Sequence, residues 1–202
     1  MTSVLVAILA AGESRRMGSP KLCLPWNGTT VLGHLLSQWR EAGAEKILVI
    51  HPPEGSSPVV QELERLKITT EMRAPTEAFE RGMMGSVVTA AGRGLRDSEV
   101  SHLVIALGDQ PHLRRETLQR MLEVCGQHPE KIIRTVFQGK SGHPLALPAS
   151  LLPDLASSDS ASLREFLDSS KSPACNLTCN DSGVLLDVDT PADYQEMISR
   201  SQ

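Results

Sequence analysis

Aromatic side chains are scarce in this chain: Trp, Tyr and Phe together make up 3% of its 202 residues. Stacking on aromatic rings is a common way for proteins to hold single-stranded nucleic acid, so this scarcity disfavours such a role. The net charge of −4 also disfavours general binding to nucleic acid or to membrane surfaces. We therefore expect no nucleic-acid partner and no membrane partner, although a local positive pocket is compatible with this composition.

A long hydrophobic run is absent as well. The first apolar stretch, Val4–Leu9, is too short to cross a membrane, and no charged leader precedes it. The four cysteines are unevenly spread along the chain, which favours free thiols in a reducing compartment. These features predict a cytoplasmic protein.

Strand-like and helix-like patterns alternate along the sequence, which is typical of an α/β fold with a parallel sheet. The continuous apolar runs Val4–Leu9 and Leu103–Leu107 predict strands that are buried on both faces. Further strands are predicted near Thr69–Met72 and, as the last one, over Val184–Val188. The length and the lack of a linker favour one domain over residues 1–202.

The stretch Leu9–Lys21, with the sequence LAAGESRRMGSPK, follows the first predicted strand directly. Glycine in such a loop lets backbone N–H groups approach an anion closely. Arg15, Arg16 and Lys21 add fixed positive charge around the loop. The stretch matches neither GxxxxGK[ST] nor GxGxxG, which disfavours a P-loop NTPase and a dinucleotide-binding site. We predict a polyphosphate site of another type.

Carboxylates follow two other predicted strands. Asp109 lies in the sequence LGDQP at the carboxyl end of a strand, where ligands bind in open α/β sheets. Asp187 and Asp189 lie in the sequence LDVDTP, and alternation would put both on one face of an extended segment. A few carboxylates beside phosphate oxygens suit a hard cation such as Mg2+.

These motifs, together with the Gly-His-Pro turn at 142–144, resemble the MobA-like nucleotidyltransferase family, and within it the molybdenum cofactor cytidylyltransferase (MocA-like) group. The resemblance implies a three-layer α/β/α fold with a mostly parallel, Rossmann-like central sheet, as in nucleotide-diphospho-sugar transferases. It also implies a divalent-cation-dependent enzyme that transfers a nucleotide to a phosphorylated acceptor and releases pyrophosphate.

The family motifs assign roles to individual residues of this chain. Arg16 and Lys21 are the implied catalytic residues, and Asp109 and Asp189 the implied ligands of Mg2+, with Mn2+ as the alternative. The residues implied to bind the nucleotide are Leu9, Ala10, Ala11, Gly12, Arg16, Lys21, Ser86 and Asp109. His143 and Asp187 are expected on the acceptor side.

The second residue of the loop bears on the choice of nucleotide. Relatives that resemble the cytidylyltransferases have LAAG there, as in this chain, whereas guanylyltransferase relatives tend to have LAGG. The methyl group of Ala11 would fill space that a purine needs, so the expected nucleotide is CTP, with GTP as the alternative. The expected acceptor is molybdopterin, and a molybdoenzyme would receive the product.

The chain departs from the family at Ser158–Arg164, where relatives often have Gly-Asp-x-Gly-Ala-Arg and both glycines are missing here. A different phosphorylated metabolite therefore stays open as the acceptor. An alternative of another class is a molybdenum cofactor carrier without catalysis, although such a protein would not need two carboxylates for a metal. The attacking phosphate is already an anion, so the predicted reaction needs positioning and charge stabilisation rather than a general base.

Overall fold

The computed structural model describes residues 3–201 apart from 13, 15–16, 54–56, 70–71 and 77, and of residues 200 and 201 it describes only the backbone. The strands of this described part are β1 (Ser3–Leu9), β2 (Pro25–Trp26), β3 (Thr29–Thr30), β4 (Lys46–His51), β5 (Arg73–Pro75), β6 (Val100–Leu107), β7 (Ile132–Phe137), β8 (Lys140–Pro148) and β9 (Ala174–Thr178). The helices of the same part are α1 (Val31–Glu41), α2 (Pro58–Arg65), α3 (Met83–Gly94), α4 (Arg115–Gln127), α5 (Leu152–Ala156), α6 (Leu163–Ser169) and α7 (Pro191–Ser201).

Seven of the described strands form one sheet in the order β5-β4-β1-β6-β8-β7-β9. The neighbours β5, β4, β1 and β6 are parallel, and β9 is parallel to β7. Only β8 within this sheet runs antiparallel to both of its neighbours. The mostly parallel sheet predicted from the sequence is therefore confirmed.

Two apolar cores cover the two faces of the sheet. Side chains alternate in direction along a strand, and β1 accordingly sends Val6 and Ile8 into one core and Ala7 into the other. Helices α1, α2, α4 and α7 pack into the first core, and α3, α5 and α6 into the second. The expected three-layer α/β/α arrangement is confirmed.

Strand register brings the predicted functional segments to one edge of the sheet. Leu9 pairs with Leu107, so the loops after β1 and β6 start side by side. A two-residue turn at Gln138 and Gly139, both with positive φ, reverses the chain between β7 and β8. Because β8 runs in the opposite direction, its first residues lie at the edge where the parallel strands end.

The prediction of a last strand over Val184–Val188 is wrong. Val184–Val188 is not a strand: a 3-10 helix covers Ser182–Leu185, and an irregular segment follows it. The side chain of Asp181 caps that helix by accepting a hydrogen bond from Gly183 N, which favours a turn over an extended chain. The strand expected near Thr69–Met72 begins later, at Arg73, and residues 70–71 lie outside the described part.

Candidate functional site

The loops after β1 and β6 contact each other through a glycine. Gly108 N donates a hydrogen bond to Leu9 O at 3.1 Å. A Cβ atom at Gly108 would lie 2.7 Å from Leu9 O and 3.0 Å from a methyl group of Leu22, closer than side chains normally pack. Glycine thus allows the two loops to touch, and this contact brings Asp109 beside the loop that ends at Lys21.

The ammonium group of Lys21 lies between two carboxylates. Its Nζ atom is 2.7 Å from Asp109 Oδ2 and 3.2 Å from Asp189 Oδ1, and it also donates to Val188 O at 3.3 Å. The exposed fractions of the Lys21, Asp109 and Asp189 side chains are 14%, 22% and 29%. Asp109 Oδ1 is buried and has no hydrogen-bond partner among the described residues. The two carboxylates are therefore arranged around a common cation position, and one of their oxygens has bonding capacity left.

The segment that carries Asp189 is bound to the end of β6. Val188 N donates to Asp109 O at 3.0 Å, and Gln110 Nε2 donates to Leu186 O and to Asp187 Oδ1, both at 3.1 Å. These contacts join the two carboxylate-bearing segments directly. The motifs did not predict a role for Gln110. Its position inside the LGDQP motif is the one feature of the sequence that could have indicated it.

The start of α7 fixes the other side of the same segment. The Asp193 carboxylate accepts hydrogen bonds from Asp189 N and Thr190 N at 3.2 and 2.8 Å, and Asp193 N donates to the Thr190 hydroxyl at 3.2 Å. This reciprocal cap satisfies backbone donors at the helix start. The Thr-Pro start of α7 thus holds the backbone of Asp189.

The electrostatic environment is strongly acidic at this edge. Desolvation by burial raises the pKa of Asp187, the charges of Asp109 and Asp189 raise it further, and the hydrogen bond from Gln110 opposes the shift. Three carboxylates near one another thus attract a cation, and Lys21 neutralises only part of their charge. Among the described residues, no group of three or more His, Cys, Asp or Glu side chains is arranged to hold a metal ion. Any cation here would take its remaining ligands from bound phosphates or water.

A cavity of about 580 Å3 opens over these side chains. Of the residues predicted to bind nucleotide or metal, those that line it are Leu9, Ala11, Gly12, Lys21, Ser86, Asp109 and Asp189, and Asp187 lines it as well. Ala10 is absent from this lining: it is completely buried in the core, and its N–H donates to Ile50 O at 2.7 Å. Arg16 lies outside the described residues.

Ser86 lines the cavity from the first turn of a helix, because α3 starts at Met83. Gly85 lets the start of α3 pack closely against Ala78, because a Cβ atom there would lie 1.8 Å from Ala78 O. The amino end of α3 therefore lines the cavity through Gly82, Met83 and Ser86, and the amino end of a helix favours anions.

A second cavity of about 560 Å3 adjoins the first, and Met83 lines both. His143 lies in its wall together with Arg134, Arg164 and Asp168. Burial lowers the pKa of His143, although the charge of Asp109 opposes the shift. His143 and Asp187, predicted together on the acceptor side, thus line different cavities: Asp187 belongs to the first.

The departure from the family pattern at Ser158–Arg164 borders this second cavity. Arg81 donates hydrogen bonds to Ser158 O and Ser160 O at 2.9 and 3.0 Å, which ties the serine-rich segment to the residues just before α3. Gly142 packs against Val184 O, which a Cβ atom would approach to 1.9 Å. The glycine of the Gly-His-Pro turn therefore joins β8 to the segment that leads to Asp189.

No helix in the described part of the chain is long and apolar enough to span a membrane.

Comparison with known proteins identifies the family. A model of the MobA-like NTP transferase domain matches residues 6–174. The purine catabolism protein PucB of Bacillus subtilis is 27% identical over 205 residues, which cover 96% of this chain and 94% of PucB. Nicotine blue oxidoreductase of Paenarthrobacter nicotinovorans is 27% identical over 194 residues, 91% of this chain and 90% of that protein. The bifunctional protein GlmU of Azorhizobium caulinodans is 32% identical over 121 residues, but this stretch spans only 26% of GlmU and 59% of this chain.

Solved structures agree with the fold. Rv0371c of Mycobacterium tuberculosis superposes with a TM-score of 0.77 and 27% identity, over 98% of this chain and 99% of that one, and it has also been solved in complex with manganese, at a TM-score of 0.71 and 24% identity over the same shares. At 14% identity, two further structures share the fold over 98% of both chains. They are CMP:2-keto-3-deoxy-manno-octonic acid synthetase with CTP (TM-score 0.74) and the molybdopterin-guanine dinucleotide biosynthesis protein A of Archaeoglobus fulgidus (TM-score 0.70).

The family match extends from the first strand into the last strand of the sheet and includes both the glycine loop and Asp109. The chain therefore belongs to the MobA-like NTP transferase domain family and is a nucleotidyltransferase.

Proposed function

We propose that this nucleotidyltransferase transfers CMP from CTP to molybdopterin, a phosphorylated cofactor precursor, and releases pyrophosphate. The observation that carries the proposal is the convergence of Lys21, Asp109 and Asp189 beneath a cavity that the glycine loop lines. In this proposal residues 1–202 act as one catalytic domain, and a molybdoenzyme receives the product.

The carboxylates fit a divalent cation, Mg2+ or Mn2+. Asp109 Oδ1 is a buried oxygen without a partner among the described residues, and Asp109 and Asp189 already face one cation position. Mg2+ commonly takes one or two protein carboxylates and completes its shell with phosphates and water. Held by Asp109 and Asp189, such a cation would offset the negative charge of the reacting phosphates. The manganese complex of Rv0371c supports the use of a divalent cation in this fold.

The residues of the chain then have to position two anions. Lys21 and the backbone N–H groups of the glycine loop would hold the triphosphate, and Arg16 would add charge to it. Gly12 leaves open space, since no atom of the described residues beyond its chain neighbours lies within 4 Å of the position that its Cβ would take. A phosphate group can approach the loop backbone there. The amino end of α3, with Ser86, would bind the ribose or the base.

The chemical step joins an acceptor phosphate oxygen to the α-phosphorus of CTP and breaks the bond to the β-phosphate. The acceptor oxygen is already charged, so no proton has to be removed from it. His143 fits a positioning role, because its lowered pKa keeps the imidazole neutral near pH 7 and able to donate or accept a hydrogen bond. Precise placement of the two anions, with fixed positive charge around them, supplies the rate enhancement.

The choice of CTP rests on Ala11, which is 8% exposed and lines the cavity. Its methyl group takes up space at the place where a loop with a second glycine would leave room for a purine. GTP is the alternative nucleotide.

The second cavity is the proposed acceptor site. Its volume of about 560 Å3 suits a small molecule. Apolar side chains form much of its wall, and Arg134 and Arg164 add positive charge, which suits a flat organic acceptor with anionic groups. Since the cavity adjoins the first one at Met83, an acceptor phosphate there can reach the nucleotide.

The test is pyrophosphate release with Mg2+ and each of CTP, GTP, ATP and UTP, with and without molybdopterin. Release that requires both CTP and molybdopterin is the expected result, and Asp109→Asn should abolish it. Release with GTP instead would overturn the assignment of the nucleotide. Nucleotide binding without any release would contradict molybdopterin as acceptor and favour either another phosphorylated metabolite or a carrier.

A further inference from the structure

The segment that presents two of the acidic side chains has no regular structure of its own. After the 3-10 helix Ser182–Leu185, residues 186–189 belong to neither a helix nor a strand. A sheet or a helix would fix the position of a carboxylate through its backbone hydrogen bonds. Here, the cap at the start of α7 holds Asp189 from one side, and the position of Asp187 and Asp189 relative to Asp109 depends otherwise on tertiary contacts.

Gln110 provides the side-chain contact from β6 to this segment. It is 1% exposed, and its Nε2 atom donates to Leu186 O and to Asp187 Oδ1, both at 3.1 Å. The neighbouring residue adds a backbone contact, because Asp109 O accepts from Val188 N at 3.0 Å. Asp109 and Gln110 thus bind three consecutive residues, 186–188, immediately before Asp189.

The chemistry of an amide is needed at this position. Both acceptors converge on Nε2, and one of them belongs to a carboxylate, so a second carboxylate in place of the amide would be repelled. The other end of the amide, Oε1, is buried without a hydrogen-bond partner among the described residues. Leaving a buried acceptor unpaired is costly. The residue keeps this orientation even so, which indicates that its function is donation to the acidic segment.

We propose that Gln110 is a positioning residue for the divalent cation. Its amide fixes Leu186 and the Asp187 carboxylate, and thereby sets the separation between the carboxylates of Asp109 and Asp189. Gln110 lines neither cavity, so it would act through the segment it holds. This inference rests on the metal site of the proposed function.

The experiment measures Mn2+ binding to the nucleotide-free protein by electron paramagnetic resonance, which needs neither substrate nor turnover. Gln110→Met keeps the length of the side chain and removes its donors. Outer-shell residues of metal sites typically contribute 10- to 100-fold in metal affinity, and we expect Gln110→Met to weaken Mn2+ binding by about that factor. Gln110→Asn should have the same direction of effect, because its amide is too short to reach both acceptors.

Thr89→Val is the matched control. Thr89 is also buried, its hydroxyl donates to Gly85 O at 2.8 Å within α3, and it lines neither cavity. Its loss should lower the melting temperature without changing Mn2+ affinity. If Gln110→Met or Gln110→Asn folds and binds Mn2+ as tightly as the wild type, Gln110 is only a packing residue.

A second comparison separates this result from failure of the metal site itself. Asp109→Asn should lose Mn2+ binding. If Asp109→Asn and the wild type bind Mn2+ equally, the proposed metal site is wrong, and the role of Gln110 is wrong with it.

Discussion

Replacing Lys21 with methionine is expected to tighten Mn2+ binding to the nucleotide-free protein, even though the same change should slow turnover. The ammonium group occupies the position on which Asp109 and Asp189 converge, with contacts of 2.7 and 3.2 Å. A cation that binds these carboxylates has to displace the ammonium group first. In the proposed reaction, Lys21 would then turn to the phosphates of the nucleotide and so change partners.

The size of the effect follows from those contacts. A hydrogen bond to a charged group contributes about 1.5–3 kcal/mol. All three side chains are partly exposed to solvent, so the energy of each contact is about 1.5 kcal/mol or less. Losing two such contacts on metal binding therefore costs about 1.5–3 kcal/mol, and each 1.4 kcal/mol corresponds to a factor of ten in affinity. Lys21→Met should thus lower the dissociation constant of Mn2+ by about 10- to 100-fold.

Electron paramagnetic resonance of free Mn2+ gives the dissociation constants, and the chain offers a close control. Lys46 also bridges two carboxylates, with Nζ 2.5 Å from Asp97 Oδ2 and 3.3 Å from Glu99 Oε2, but on the surface near the opposite ends of the strands. Lys46→Met should leave the Mn2+ dissociation constant of the site unchanged. Unchanged or weaker Mn2+ binding in Lys21→Met would refute the idea that ammonium and metal compete for Asp109 and Asp189.

Three further outcomes are expected. Asp109→Asn should reduce pyrophosphate release by about 100-fold or more, as expected for loss of a preorganised charged group, with the fold retained by circular dichroism; retained activity would contradict its role as a metal ligand. Ala11→Gly should shift the ratio of kcat/KM for CTP and GTP by about tenfold toward GTP, because one methyl group in a pocket has an effect of that order, and a constant ratio would leave Ala11 without a part in selectivity. The pKa of His143 lies below its ordinary value of 6.5 in the folded protein. The unfolded chain therefore binds a proton more readily, and the free energy of unfolding should fall as the pH drops through 6.5. His143→Gln should weaken this pH dependence in urea titrations at pH 5.5 and 7.5, and an unchanged difference between the two pH values would show that His143 does not contribute.

Much of the fold could be predicted because it depends on local patterns. The buried parallel strands β1 and β6 are continuous apolar runs, and the Thr-Pro start of α7 is a local cap. The segment 184–188 has the same apolar pattern, yet it is not a strand. Its geometry depends on Asp181, which accepts hydrogen bonds from Gly183 N and, far away in sequence, from Arg114 N and the Thr117 hydroxyl. A pattern of hydrophobic residues carries no information about such distant partners.

The candidate site divides in the same way. The motifs predicted which side chains lie at the edge of the sheet, since the carboxyl ends of parallel strands meet there. They could not predict that Lys21 pairs with carboxylates 88 and 168 positions away, nor that Gln110 joins the two acidic segments. Ala10 belongs to the same motif as Ala11, but the alternation of an extended chain turns it into the core instead of the cavity.

Because β8 runs in the opposite direction, the two halves of the candidate site are attached to the sheet in different ways. The proposed nucleotide half is formed by loops after parallel strands, and at Gly108 the close contact with Leu9 leaves no room for a side chain. The other half begins at the two-residue turn of Gln138 and Gly139, at the free end of a hairpin. An insertion at that turn would lie beside the wall around His143, and the contact between Gly108 and Leu9 would stay in place. The fold thus allows the proposed acceptor side to change while the proposed nucleotide side is kept.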